Sequence, residues 1–516
     1  EIGVRLVGSE MCIRDRSGKA QMAAMKVSEK YAFLEPELIS IDSDVLDKYI
    51  SEDERLGMYK HFIDDCLAGK EHTLSEKEEA LLAKASQMST VPNEVFSKFN
   101  NADVKFGKVK RENGQEDELT NGNFATFMES QDRTVRKAAF EALYKQYGAY
   151  INTIAAAFYG NVKQAMFYAD ARGYKSTLNM YLDGSFIPEN VYKNLIKTVN
   201  DNLDKMYRYV DIRKKALGVD ELHFYDIYAP MVEDIDWKIS YDEAKDIVVK
   251  ALAPMGEEYV SHIKEGFNNG WVDVYENTGK RSGAFSWGAY GTHPYVFLNY
   301  SDTLNDVFTV IHEMGHAMHT YYSNANQPYI YAGYKIFVAE VASTCNEAIL
   351  MQYMLKNTDD EKKKRYLLNH FFEQFKGTLY RQTMFAEFEM EAHAKAEHGE
   401  VLSAESLCAM YKKLNEKYFG PDMVIDDEIA LEWARIPHFY TPFYVYQYAT
   451  GYSAAIAIST KILAGDEQVI AGYRKFLSGG SSMHPIELLK LCGIDMTRPD
   501  VVQEALDVFW ELLKQW

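Results

Sequence analysis

Disulfide chemistry has little to work with in this chain. Its five cysteines, Cys12, Cys66, Cys345, Cys408 and Cys492, are scattered over 516 residues, odd in number and without a CxxC pair. That excludes a disulfide framework and a cysteine-zinc site, and it reads as the reduced core thiols of a cytoplasmic protein. Positive charge is also scarce: 56 Lys and Arg stand against 76 Asp and Glu, a formal net charge of -20. Nucleic acid is excluded as a partner, because neutralising phosphates needs a basic face that this chain would have to build against its own field. Long uncharged runs are few. The longest, residues 436–460 (IPHFYTPFYVYQYATGYSAAIAIST), is long enough to span a bilayer by length alone. It carries Pro437, Pro442, His438, Gln447 and a series of tyrosines. So polar a segment is unsuited to lipid, which removes a membrane from the partners and predicts a helix buried in protein or lining a cleft.

Targeting cannot be read from the N-terminal end. Residues 1–16, EIGVRLVGSEMCIRDR, fit neither the amphipathic pattern that follows nor a signal peptide, which wants a longer apolar run and a small-residue cleavage site. They resemble translated adapter sequence and are read as non-native. No internal repeat or low-complexity tract is found.

What is present is the composition of a large globular protein, 47% hydrophobic and 26% charged, with 37 Tyr to wall a cleft. From about residue 25 to 101 apolar residues recur at helical spacing. Residues 104–127 alternate, carry Gly and Asn-Gly signals and read as a hairpin or domain junction. Helical patterns return from 131 to 260. A Gly-rich loop and a short strand at residues 295–299 then precede a helix starting at Ser301 or Thr303, and nearly everything from there to Trp516 reads helical.

The stretch VFTVIHEMGHAMHTYYS, residues 307–323, carries the chemistry. On a helical wheel Leu304, Val307, Phe308, Ile311, Gly315 and Met318 form a narrow apolar arc, with His312 and His316 beside it. Two imidazoles at i and i+4 meet at one point, as a tetrahedral Zn²⁺ requires, and Glu313 stands off the same side as a general base. The plain alternative is a buried helix that happens to hold histidines. A third ligand is needed. His319 is one candidate, but it lies about 10 Å along the axis from His312. The other is Glu340 in KIFVAEVASTCNEAILMQYML, with Glu347 on the same face as a partner for a histidine ring N–H.

FTVIHEMGHAMH, FVAEVASTCNE and WARIPHFYTPFYVYQYATGYSAA, in that order, resemble oligoendopeptidase F of the thimet-oligopeptidase-like zinc metallopeptidases. The likeness runs from about residue 25 to the C-terminus. It implies a mainly α fold, a two-lobed helical ellipsoid with a deep substrate channel and a small β-sheet near the active-site helix. It implies one Zn²⁺ per chain on His312, His316 and Glu340, Glu313 as base, and short peptides as substrates, cut internally. It also implies a histidine and tyrosines that steady the substrate and its oxyanion: His438, with Tyr444 and Tyr448 chosen because they share a helical face, and Tyr440, Tyr446 and Tyr452 as alternatives. By the same likeness residues 17–125 are an N-terminal helical region, shortened relative to the family, and 126–516 the zinc metallopeptidase catalytic domain. The strand in HPYVFLNY, residues 293–300, is expected to offer a free edge to an extended peptide or else to be an ordinary core strand. Two other readings remain: a metallo-carboxypeptidase, which needs a basic residue for the terminal carboxylate, and an inactive peptide-binding scaffold, for which Glu313 would be useless. Monomer and homodimer are both open.

Overall fold

The computed structural model describes residues 16, 18–20, 22–27, 30, 31, 33–232, 235 and 237–516. The segment read as non-native therefore lies outside the described residues, apart from Arg16. The described chain is mainly helical, with three small sheets. It divides into two compact units between Ala83 and Lys84.

The first unit is built of short helices such as Ser43–Glu52, whose N-cap Asp42 accepts from the Asp44 N–H, and Lys60–Ala68. Its buried side chains are few, among them Leu46, Ile63 and Cys66. The second unit opens on a hairpin of β1 (Lys108–Lys110) and β2 (Glu116–Glu118), antiparallel with Val109 opposite Asp117. Gly114 at φ +84° makes its turn. Helices α1 (Arg133–Ala149) and α2 (Ile151–Ala171) follow. Two distant segments, β3 (Leu222–His223) and β7 (Met423–Val424), form a parallel pair.

The site is positioned by a bundle and a sheet. The sheet has the order β4 (Val272–Asp273), β6 (Tyr295–Phe297), β5 (Phe285–Trp287), with β6 parallel to β4 and antiparallel to β5. Beyond it runs α3 (Leu304–Asn326), started by a capping box in which Thr303 and Asp306 satisfy each other's backbone N–H. The predicted apolar arc of α3 is buried throughout. Val310, Met314, Ala317 and His319 are buried too, so the helix meets protein on nearly every side. It packs on α4 (Ile336–Lys356), and α4 on α7 (Tyr446–Leu463). The α3–α4 contact is close because Gly315 has no side chain: a Cβ there would stand 2.6 Å from Ser343 Cα and 2.8 Å from the Ala342 carbonyl oxygen. Helix α5 (Glu361–Gln374) runs through a π-helical turn, Phe375–Tyr380, into α6 (Arg381–Glu397).

Two expectations are corrected. Residues 436–460 are not one helix. A 3-10 turn, Pro437–Tyr440, is followed by a bend, and α7 begins only at Tyr446. Pro442 keeps Thr441 out of the helical region, at φ -120° and ψ 84°, and Phe443 adopts φ +55°, a left-handed conformation that breaks the helical path. Nor does the strand at 295–297 offer a free edge: β6 is paired on both sides, and the edges belong to β4 and β5. Among the described residues, no helix is long and apolar enough to cross a membrane.

Candidate active site

Helix α3 brings His312 and His316 to one point, since four residues advance about one turn. Their Nε2 atoms are 3.2 Å apart, and Glu340 Oε2, arriving from α4, is 3.5 Å from each. Three donors at about 2.0–2.1 Å from a tetrahedral zinc would stand about 3.3 Å from one another. The donor set therefore fits a single zinc-sized cation in both spacing and chemistry. His319 is not part of it. Its ring is buried and stacked on Tyr334, with centroids 3.7 Å apart, and burial, helped by the nearby His316, depresses its pKa to about 3.

Two of the three donors are held from behind. His312 Nδ1 donates to Glu347 Oε1, which turns Nε2 toward the shared point, and Gln374 on α5 donates to Glu347 Oε2 at 2.7 Å. Ser343 Oγ donates to Glu340 Oε2 at 3.0 Å. Burial disfavours charge on His312, but the Glu347 bond and the surrounding carboxylates outweigh it and lift its pKa to about 9. Burial likewise opposes ionisation of Glu340, and its bond to His316 with the two imidazoles' charge brings it down to about 2. A cation entering this cluster displaces the His312 proton, so its affinity rises with pH.

Glu313 is 7% exposed, and its buried Oε2 has no hydrogen-bond partner. Burial raises its pKa, with the two histidines pulling the other way. That is the environment of a carboxylate that takes up a proton readily.

The bend before α7 and the first turn of α7 gather three rings, with Tyr448 near enough to Glu340 to feel its charge. His438 lies 6.2 Å from Tyr444 and 6.0 Å from Tyr448, and the two tyrosines are 5.4 Å apart, edge to face. Tyr444 precedes the helix, so the shared helical face that selected this pair does not exist; the bend at Phe443 brings the rings together instead. Burial, then Tyr444 and Glu340, raise the Tyr448 phenol, which stays protonated, while burial and the charge of Arg381 lower His438. The alternatives sit in the core: Tyr440 stacks on Phe96 at 4.5 Å, Tyr446 leans on Tyr192 at 4.9 Å, and Tyr452 meets Phe375 edge-on at 5.1 Å. Sequence reasoning missed Ser343 and Gln374. Ser343 was within reach as the i+3 neighbour of Glu340, whereas Gln374 comes from another helix and leaves no local signal.

A sequence model of Peptidase family M3 matches residues 126–508, and one of Oligopeptidase F matches residues 37–106. The chain belongs to peptidase family M3, among its oligoendopeptidase F members. It is 51% identical over 503 residues to oligopeptidase PepF of Bacillus subtilis, covering 98% of this chain and 75% of that protein. To group B oligopeptidase PepB of Streptococcus agalactiae it is 43% identical over 495 residues, 96% of this chain and 82% of the other. Among solved structures, oligoendopeptidase-F from Enterococcus faecium superposes with a TM-score of 0.80 at 37% identity, covering 95% of this chain and 83% of that one. A Chlamydophila abortus structure described as a putative peptidase gives a TM-score of 0.91, also at 37% identity, over 96% and 83%. As an M3 peptidase the chain is a metallo-oligopeptidase.

Proposed function

We propose that the chain is a zinc-dependent oligoendopeptidase of the cytoplasm that hydrolyses internal bonds of short peptides, with residues 126–516 as its catalytic domain. The observation that carries this is the convergence of Glu340 Oε2 on the two imidazole nitrogens beside the unpartnered Oε2 of Glu313. The cytoplasmic assignment is supported by the cysteines: the four among the described residues are free.

His312 and His316, through Nε2, and Glu340, through Oε2, would hold the ion. When bound, it supplies Lewis acidity that polarises the scissile carbonyl and makes a water readily ionisable. Glu313 takes the proton of the attacking water and returns it to the leaving amine. Glu347 and Gln374 keep the His312 ring in its orientation. Tyr448, Tyr444 and the neutral His438 donate hydrogen bonds to the developing oxyanion, a role worth about 10² to 10³ in rate per donor. Substrate in extended form pairs with the outer edge of β5, which has no backbone partner among the described residues. Trp287, 73% exposed, and Phe285 stand on that strand, and an apolar substrate side chain can lie against them.

The test is an internally quenched nonapeptide blocked at both ends, assayed alongside metal analysis. Cleavage at internal bonds that a chelator abolishes and Zn²⁺ restores is the expected result. Activity confined to peptides with a free C-terminus would instead favour a carboxypeptidase.

A further inference from the structure

One buried acid has no part in this scheme. Glu389 on α6 is 1% exposed; its Oε1 accepts the Phe443 backbone N–H at 3.0 Å, and its Oε2 is buried without a partner. Phe443 is one of three non-glycine residues with positive φ among the described residues, at +55°, a conformation that persists only where surrounding structure enforces it. The enforcement is visible. The Phe443 ring lies 4.6 Å from His393, one turn along α6 from Glu389, and 5.8 Å and 5.9 Å from Tyr192 and Tyr181. His393 is itself fixed by Nδ1 on Thr177 Oγ1 at 2.9 Å. The next residue is Tyr444, which lies outside α7 and follows directly on the Phe443 turn.

We propose that Glu389 is a positioning residue for Tyr444: by gripping the Phe443 amide it holds the left-handed turn that aims the Tyr444 ring at His438 and Tyr448. The inference rests on the reading of Tyr444 as an oxyanion donor. With burial as the dominant influence and no cation facing it, the Glu389 carboxyl is held well above the usual range and stays a neutral acid. Its grip is therefore a matter of shape and one hydrogen bond. Glutamine, which keeps the accepting carbonyl, should replace it; leucine should not.

The experiment compares Glu389→Gln, Glu389→Leu, Tyr444→Phe and the Glu389→Leu/Tyr444→Phe double variant of the full chain, measuring zinc content, kcat and KM on the quenched nonapeptide. Expected are near-wild-type turnover for Glu389→Gln and a kcat lowered about 10- to 100-fold for Glu389→Leu, with zinc retained and KM little changed. Adding Glu389→Leu to Tyr444→Phe should cost little more, because the group it positions is already gone. Should Glu389→Leu fail to fold, Glu389→Asp, one carbon too short to reach the amide, takes its place with the same expectations. Wild-type kcat in Glu389→Leu, or an equal loss with and without the Tyr444 hydroxyl, overturns the positioning role while leaving Tyr444 a donor. Wild-type turnover of Tyr444→Phe overturns the reading of Tyr444, and the proposal with it.

Discussion

Glu313 makes no hydrogen bond through its inner oxygen and is not among the three converging donors, which suits the proton-transfer role proposed for it. Glu313→Gln keeps size and hydrogen-bonding capacity but accepts no proton. Its turnover should fall by about 10² to 10⁴, with one zinc per chain and unchanged affinity for an inhibitory peptide. Activity within tenfold of wild type would remove Glu313 from the mechanism. The ligand set is tested by a pair. Glu340→Ala should lose most bound zinc, since only two imidazoles remain, whereas His319→Ala should keep stoichiometric metal and show a lowered thermal midpoint from the emptied stack on Tyr334. Metal analysis with thermal denaturation checks both. At this scale the sequence was most legible where geometry is local. The i, i+4 spacing of His312 and His316 needs only a helix to become a site, and the Glu340 segment was recognisable as a motif. Tyr444 was chosen on a helical face that is absent; its place beside His438 depends on a left-handed residue held by a distant acid, which no spacing rule encodes.

Among the elements, the contact of α3 with α4 fixes the distance between the histidines and Glu340. Gly315→Ala would drive a Cβ into Ser343 and the Ala342 carbonyl, and backbone atoms cannot swing aside as a side chain can. The helices must separate, at a cost of about 1–3 kcal/mol or more. Zinc affinity should drop along with the thermal midpoint, and full affinity in a stable variant would mean that the ligands, not the contact, set the spacing. A second junction joins α1 to the 3-10 turn Phe224–Asp226: Asp226, fully buried, accepts from Arg133 Nη2 at 2.8 Å and Arg136 Nη2 at 2.7 Å. Burial alone would raise its pKa, but the bonds to the two arginines hold it below the ordinary 3.8. The folded state therefore keeps this group ionised where the unfolded chain protonates it. Its contribution is complete above the ordinary value and is lost as pH falls below about 4. Asp226→Asn should be destabilised by about 3–5 kcal/mol at neutral pH, with the gap to wild type narrowing in acid, as read by denaturant titrations at several pH values. The cap of α3 and the turn signals of the β1–β2 hairpin were plain in the sequence, because they are set by neighbours. Which strands of the three-stranded sheet lie at its edges was not: β6, the last of the three in the chain, inserts between β4 and β5 and leaves those two outside.

For the molecule as a whole, the family likeness implies that the site lies in a channel, and substrate size is then the selecting variable. Short unstructured peptides should be cut rapidly, while casein and folded proteins resist, as mass spectrometry of timed digests will show. Extensive breakdown of casein would mean an open cleft. Helical content was legible here from periodicity, and the fold class from the family resemblance. The division between Ala83 and Lys84 was not, because it falls inside the continuous helix Glu76–Ser89, where composition and pattern do not change. The edge strand β5 has a further consequence. It is three residues long and offers main-chain groups on its outer side, so a peptide paired to it is gripped equally well after sliding two residues along. One peptide can thus be presented at several offsets, and its digest becomes a nested series of fragments with staggered ends instead of a single pair.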